Sequence, residues 1–292
     1  MPYTALISNL RALPQETLTS DQREALLSLL DYLEAPSPYA LYLLTGYAGT
    51  GKTYLLRSIT EAATRAGLHV ELMASTGRAA KVLTGATGRQ ASTIHRTIYR
   101  ASTQLQEEGG TFQLGRVSAG RPTLFIVDEA SMISGDTGEV TPFGSGNLLE
   151  DLLAYVWSAD ESKLILVGDT AQLPPVGTPL SDALNAEVLT SRYGLEVYGT
   201  ELREVVRQKK GGILHNATQL RQLLEDSADL DPEELLPIHL ETEGWRGIFA
   251  VEPGEFINTI DEAYRRYGME ECLVICPSNK KALECNHAIR SA

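Results

Sequence analysis

The chain is predicted to be an α/β protein built on a parallel sheet with helices on both faces. Three observations predict it. A glycine-rich loop, residues 46–53, sits between the apolar run Leu41–Leu44 and a helix-like run that starts at Tyr54. Two further apolar runs, 124–127 and 164–167, end at the acid pair Asp128-Glu129 and at Gly168-Asp169, as buried parallel strands do at an active edge. Short apolar runs alternate with helical patterns over roughly residues 38–195, which suits a doubly wound sheet.

Composition sets the outer bounds. The 292 residues are 43% hydrophobic and 22% charged, enough for one large or two ordinary folded domains. No apolar run approaches the ~20 residues of a membrane span, and the N-terminus lacks the basic start and apolar core of a secretory signal. Three cysteines, Cys272, Cys276 and Cys285, fit a reducing compartment, so a cytoplasmic location is expected. Cys272 and Cys276 lie in and at the end of an apolar run and read as core packing rather than as zinc ligands with His287. The net charge of −13 is unevenly spread. Residues 222–262 hold twelve acids against one arginine, whereas residues 77–122 hold seven Lys/Arg against two glutamates. That basic segment is either a binding surface or a solvated face.

In chain order, residues 5–13 read as a short helix with Leu6, Ile7, Leu10 and Leu13 on one side. Thr19 or Ser20 can cap a helix starting near Asp21, with Gln22 in its first turn. The loop that follows the first strand has the spacing G-x-x-x-x-G-K-T of a phosphate-binding loop. Gly46, Gly49 and Gly51 let the backbone of this loop, Thr50 included, turn its N–H groups inward, and the next helix adds partial positive charge at its N-terminus. Lys52 can bridge the β- and γ-phosphates of a nucleotide, and the Thr53 hydroxyl can ligate Mg²⁺.

A second strand, 68–73, leads into ASTGRAAK (74–81), whose small and hydroxyl residues face the ligand side of such a sheet. STIH (92–95) follows a helix. Residues 100–121 are polar, with Gly109-Gly110 in the middle, and read as an inserted hairpin or as a disordered loop. Asp128 can hold Mg²⁺, and Glu129 can orient and deprotonate a water. Gln172, at the exit of the strand over 163–169, is placed to sense a γ-phosphate. A second unit is expected from about residue 196, with helices over 213–224 and 279–290 and a buried strand over 272–277. His69, His215 and His239 have no neighbouring chemistry, and Glu161-Ser162-Lys163 is a chance match to a nuclease fragment.

Gln22, GYAGTGKT (46–53), ASTGRAAK (74–81), STIH (92–95), LFIVDEASM (124–132), LVGDTAQLPPVG (166–177) and LREVVRQ (202–208) together resemble the successive motifs of superfamily 1 DNA helicases, RecD-like group. The resemblance implies a RecA-like ATPase domain over 1–196, with a helical N-terminus over 1–36 and the inserted hairpin, and a partial second RecA-like domain over 197–292. It implies ATP and Mg²⁺ as cofactors, single-stranded DNA as partner and 5′→3′ movement, and it admits recombination or repair subunits. By resemblance Gln22 recognises adenine, Gly51, Lys52 and Thr53 hold phosphates and metal, and Asp128 and Glu129 are the metal and water residues. Gln172 couples the γ-phosphate to movement, and Arg207 is an arginine finger. Thr76, Gly77, Arg78, Thr93 and His95 match positions that contact the single strand. No later helicase motif follows Arg290, so the resemblance implies a second motor domain cut short. A nucleotide-dependent module that binds or regulates without unwinding is the other reading. Nothing in the sequence supplies a nuclease site.

Overall fold

The computed structural model describes residues 2–101, 112–117, 121–133, 135, 142–175, 180–206, 211–226, 238–245 and 247–291. The chain divides into two compact units, residues 1–209 and 210–292. The first is organised by a six-stranded sheet. Its strands are β1 (Ala40–Gly46), β2 (His69–Ala74), β3 (Ala91–Thr93), β6 (Thr123–Asp128), β7 (Lys163–Gly168) and β8 (Glu196–Leu202), all paired in parallel. Their order across the sheet is β3-β2-β6-β7-β1-β8.

Side-chain alternation along each strand splits the core in two. Tyr42 and Leu44 of β1, Leu124 and Ile126 of β6, and Ile165 and Val167 of β7 pack on one face. That face is covered by α1 (Thr4–Arg11), α2 (Ser20–Glu34), α3 (Lys52–Arg65) and Leu83 of α4 (Gly77–Thr87). Leu41, Leu43, Phe125, Val127, Leu164 and Leu166 point the other way, toward α5 (Ile94–Ile98), α6 (Leu148–Val156) and α7 (Ala186–Ser191). Burying each such side chain contributes about 1.5–3 kcal/mol.

Local signals set the helix starts. α2 begins with a capping box: Thr19 Oγ1 accepts the Gln22 N–H at 3.2 Å, and Gln22 Oε1 accepts the Thr19 N–H at 3.2 Å. The buried Lys163 donates to the carbonyls of Tyr32 and Ala35 at 3.1 and 3.3 Å, closing the other end of that helix. This is a structural role for a residue that sequence reasoning met as the start of a buried strand and as part of a chance motif. Tyr32 pins α2 to the sheet. Its fully buried hydroxyl donates to the Leu164 carbonyl at 2.8 Å and accepts the Leu164 N–H at 2.7 Å. Tyr32→Phe leaves that N–H without its partner and is expected to lower unfolding stability by about 1–3 kcal/mol. A urea titration that moves by less than about 0.5 kcal/mol would show that the bond contributes nothing net.

The structure differs from the expected organisation at three places. β8 pairs with β1 throughout, so the first unit runs past residue 196 to residue 209. This edge strand reads EVYGTEL and is half exposed, without the apolar run that marks a central strand. In the second unit the segment 272–276 is extended but forms no strand, and Leu273 and Ile275 are exposed. An isolated apolar run needs a neighbouring strand, and none lies within the described residues of that unit. The expected helices form as α8 (Gly212–Asp226) and α10 (Asn279–Ser291), joined by α9 (Phe256–Tyr267). His215 does have a partner: its Nε2 lies 2.8 Å from Glu241 Oε2, and its ring stacks on Trp245.

The insert is framed by an antiparallel pair, β4 (Tyr99–Ala101) and β5 (Phe112–Leu114). Its expected tip, Gly109-Gly110, lies outside the described residues. No helix is long and apolar enough to cross a membrane among the described residues.

Candidate active site

Strand order decides which loops meet. β7 lies between β1 and β6, and the three strands end level: Thr45 pairs with Gly168, and Val127 pairs with Leu166. The glycine loop, the acid pair and the β7 exit therefore open onto one edge. They line a cleft of about 940 Å³ that includes Gln22, Gly49, Gly51, Lys52, Thr53, Thr76, Arg78, Asp128, Glu129 and Gln172.

The loop has the shape a phosphate requires. Gly51 has φ +93°, a left-handed conformation, and a Cβ there would run into the Gln22 amide. Gly46 (φ +153°) lies against the Leu202 carbonyl, where a Cβ has no room. Thr50 is buried and its hydroxyl donates to the Tyr47 carbonyl at 2.8 Å, which braces the turn. Lys52 Nζ donates to the Gly46 and Tyr47 carbonyls at 2.5 and 3.0 Å, so its ammonium sits over the loop mouth. A helix N-terminus, a lysine and a threonine hydroxyl form a set suited to phosphate and a hard cation.

Asp128 ends β6 inside the edge. Burial, and next the charge of Glu129, push its carboxyl up from 3.8 to about 6. The Glu129 N–H, donated to Asp128 Oδ1 at 3.0 Å, and the Lys52 charge pull the other way. Glu129 itself has φ 56° and ψ 43°, a left-handed conformation that costs a non-glycine residue about 1–2 kcal/mol. Strain of this kind persists where the surroundings over-determine the backbone.

Gln22 is only 3% exposed, and both ends of its amide are engaged in this structure. Oε1 completes the capping box and Nε2 donates to the Thr50 carbonyl at 3.2 Å. Each end keeps one further hydrogen-bonding site, so pairing with a base requires the amide to be uncovered. Thr76 and Thr93 each cap a helix, accepting the N–H of Ala79 and Arg96 respectively, at 3.2 Å. Gly77 is the first residue of α4. Thr93 and His95 do not line the cleft. The His95 ring instead packs edge-on against Phe143 at 5.1 Å and beside Tyr99, and burial lowers its pKa.

Arg207 lies outside the described residues. The chain leading to it is tied to the cleft. Asp21 Oδ2 accepts the N–H groups of Arg203 and Glu204 at 2.7 and 2.8 Å, and the Val206 N–H donates to the Gly49 carbonyl at 2.9 Å. The two hydrogen bonds from Glu204 and Arg203 hold the Asp21 carboxyl below its ordinary value. Sequence reasoning missed Asp21, because its partners lie 182 and 183 residues away. It also missed Thr17, Tyr54, Ser75 and Met132 as lining groups, and nothing local distinguishes them.

This chain is similar in sequence to known proteins. It is 35% identical over 188 residues to the ATP-dependent RecD2 DNA helicase of Deinococcus radiodurans, which covers 64% of this chain and 23% of that protein. It is 31% identical over 182 residues to the ATP-dependent DNA helicase dda of Enterobacteria phage T4, covering 61% and 37%. The chain thus spans well under half of these curated relatives. A crystal structure of Pif1 helicase from Candida albicans superposes with a TM-score of 0.43 at 22% identity, covering 70% of this chain and 44% of that one. The motif set resembles that of RecD-like superfamily 1 helicases. The profile described as an AAA domain matches residues 17–231, well over half of the chain, and this chain is a member of the AAA-domain family.

Proposed function

We propose that this chain is the nucleotide-binding part of an ATP-dependent DNA helicase motor of RecD type, moving 5′→3′ on single-stranded DNA. One observation carries the reading: Lys52, Thr53, Asp128, Glu129 and Gln172 line one cleft together with Thr76 and Arg78, two residues of the expected DNA track. The RecD2 and dda helicases are its relatives by sequence.

In this reading ATP lies along the glycine loop. Loop amides receive its phosphates, apart from that of Thr50, which is donated to the Tyr47 carbonyl, and Lys52 leaves the Gly46 and Tyr47 carbonyls to meet the β- and γ-oxygens. Thr53 and Asp128 would hold Mg²⁺, which would supply charge neutralisation to the phosphates. Glu129 takes a proton from the attacking water, and Gln172 reads whether the γ-phosphate is present. Gln22 presents its amide to the adenine edge, accepting and donating at once. Arg207 enters as the arginine finger, on a segment anchored by Asp21 and Gly49. Gly77, Thr93 and His95 complete the contact to the strand.

The test is ATP hydrolysis with and without an oligo(dT) strand. Stimulation by DNA of about tenfold or more is expected, falling steeply with salt because phosphate contacts release counterions. No stimulation, with Lys52 intact, overturns the motor reading. A second reading, a nucleotide-dependent DNA-binding or regulatory module, is favoured by one observation: the segment 272–276 forms no strand in the second unit. Strand displacement from a 5′-tailed duplex separates the two.

A further inference from the structure

A second groove, of about 340 Å³, opens on the α5–α6 side of the sheet. It lies away from the cleft. His69 and Thr123 begin β2 and β6, whereas the cleft uses the other ends of those strands, about 15 Å further on. Three arginines line it: Arg96 of α5, Arg100 of β4, and Arg121 just before β6. None of them forms an ion pair with a carboxylate within the described residues. Arg100 is fixed in place, because its Nη1 donates to the carbonyls of Thr97 and Tyr99 at 2.8 Å. Glu71 is the one carboxylate in the lining, and His69 lies 3.4 Å from it.

We propose that this groove holds the phosphate backbone of duplex DNA, as a site separate from the single-strand track. The inference rests on the motor reading for its biological sense and on the groove for its chemistry. Guanidinium groups match phosphate oxygens in geometry and charge, and the Ser92 hydroxyl adds a donor. Of the groove's three aromatic rings, Phe125 and Tyr155 are 1% and 6% exposed and offer no face to an unstacked base, and the third, His69, is held 3.4 Å from the Glu71 carboxylate. Three guanidinium groups with so little exposed ring surface favour contact through the phosphate backbone rather than through base faces. The groove's arginines belong to the strongly basic segment 77–122 of a chain whose net charge is −13, which concentrates positive charge where a polyanion can approach.

The experiment measures binding of a blunt 20-base-pair duplex to the whole chain by fluorescence anisotropy, without nucleotide, over a salt series. The double variant Arg96→Glu/Arg121→Glu is expected to bind duplex about tenfold more weakly, with the salt slope reduced by about 2. Arg96→Lys/Arg121→Lys is expected to keep most of the affinity. Should the charge-reversed chain fail to fold, Arg96→Gln/Arg121→Gln removes the same two charges and is expected to weaken binding in the same direction. Unchanged affinity and slope, or no duplex binding by the native chain, overturns the proposal. So does displacement of duplex by millimolar inorganic phosphate at constant ionic strength, which marks a small-anion site. Duplex binding that follows the arginines in a chain whose ATP hydrolysis ignores oligo(dT) sinks the motor reading and leaves the groove standing.

Discussion

Lys52→Ala is expected to lower ATP turnover about 10³-fold while leaving the chain folded. A preorganised donor aimed at developing charge contributes about 3–4 kcal/mol to a transition state. Lys52 is the ammonium poised over the glycine loop. The loop does not depend on it for shape. Thr50 braces the turn through Tyr47, Gln22 holds the Thr50 carbonyl, and Val206 holds the Gly49 carbonyl. The unfolding midpoint should therefore move by no more than about 1 kcal/mol equivalent. Phosphate release measured alongside a thermal melt checks both halves. Turnover within tenfold of the native rate would mean the cleft is not where ATP is hydrolysed.

Asp128→Asn is expected to do two opposite things: reduce hydrolysis about 10²-fold or more, and make the chain more stable at pH 7. The second follows from the raised carboxyl. Below about pH 4 both the folded and the unfolded chain keep the Asp128 proton, and the group contributes nothing to pH dependence. Between 3.8 and about 6 the unfolded chain has lost the proton and the folded chain retains it, so stability falls as pH rises. Above about 6 the buried carboxylate costs its full amount, at most about 3 kcal/mol. Asparagine carries no charge to bury, and its side-chain oxygen can still accept the Glu129 N–H. Urea unfolding at pH 5 and pH 7.5 should show the variant's advantage over the native chain growing toward the higher pH. An equal difference at both would mean that the charge of Asp128 is not what the fold resists.

Part of the site was legible because its chemistry is written in contiguous residues. The turn of 46–53, the acids at the end of an apolar strand and the cap at Thr19 or Ser20 are local patterns, and local patterns survive being read one residue at a time. β8 was not legible, since an edge strand covered on one side has no continuous apolar run. The role of Lys163 was hidden for a related reason: a lysine in a strand looks like a surface residue until the helix end that accepts its hydrogen bonds is in place.

By itself the sequence determined the α/β class, the glycine loop and the chemistry of the residues that can meet a phosphate, because these depend on backbone freedom and side-chain type. Only the tertiary structure decided that β7 lies between the lysine strand and the acid strand, and that Asp21 anchors the segment before Arg207. It also decided that three arginines from α5, β4 and the approach to β6 share a groove away from the cleft. Those facts join residues separated by tens to hundreds of positions, and only the pairing register of the sheet and the packing on its two faces bring them together.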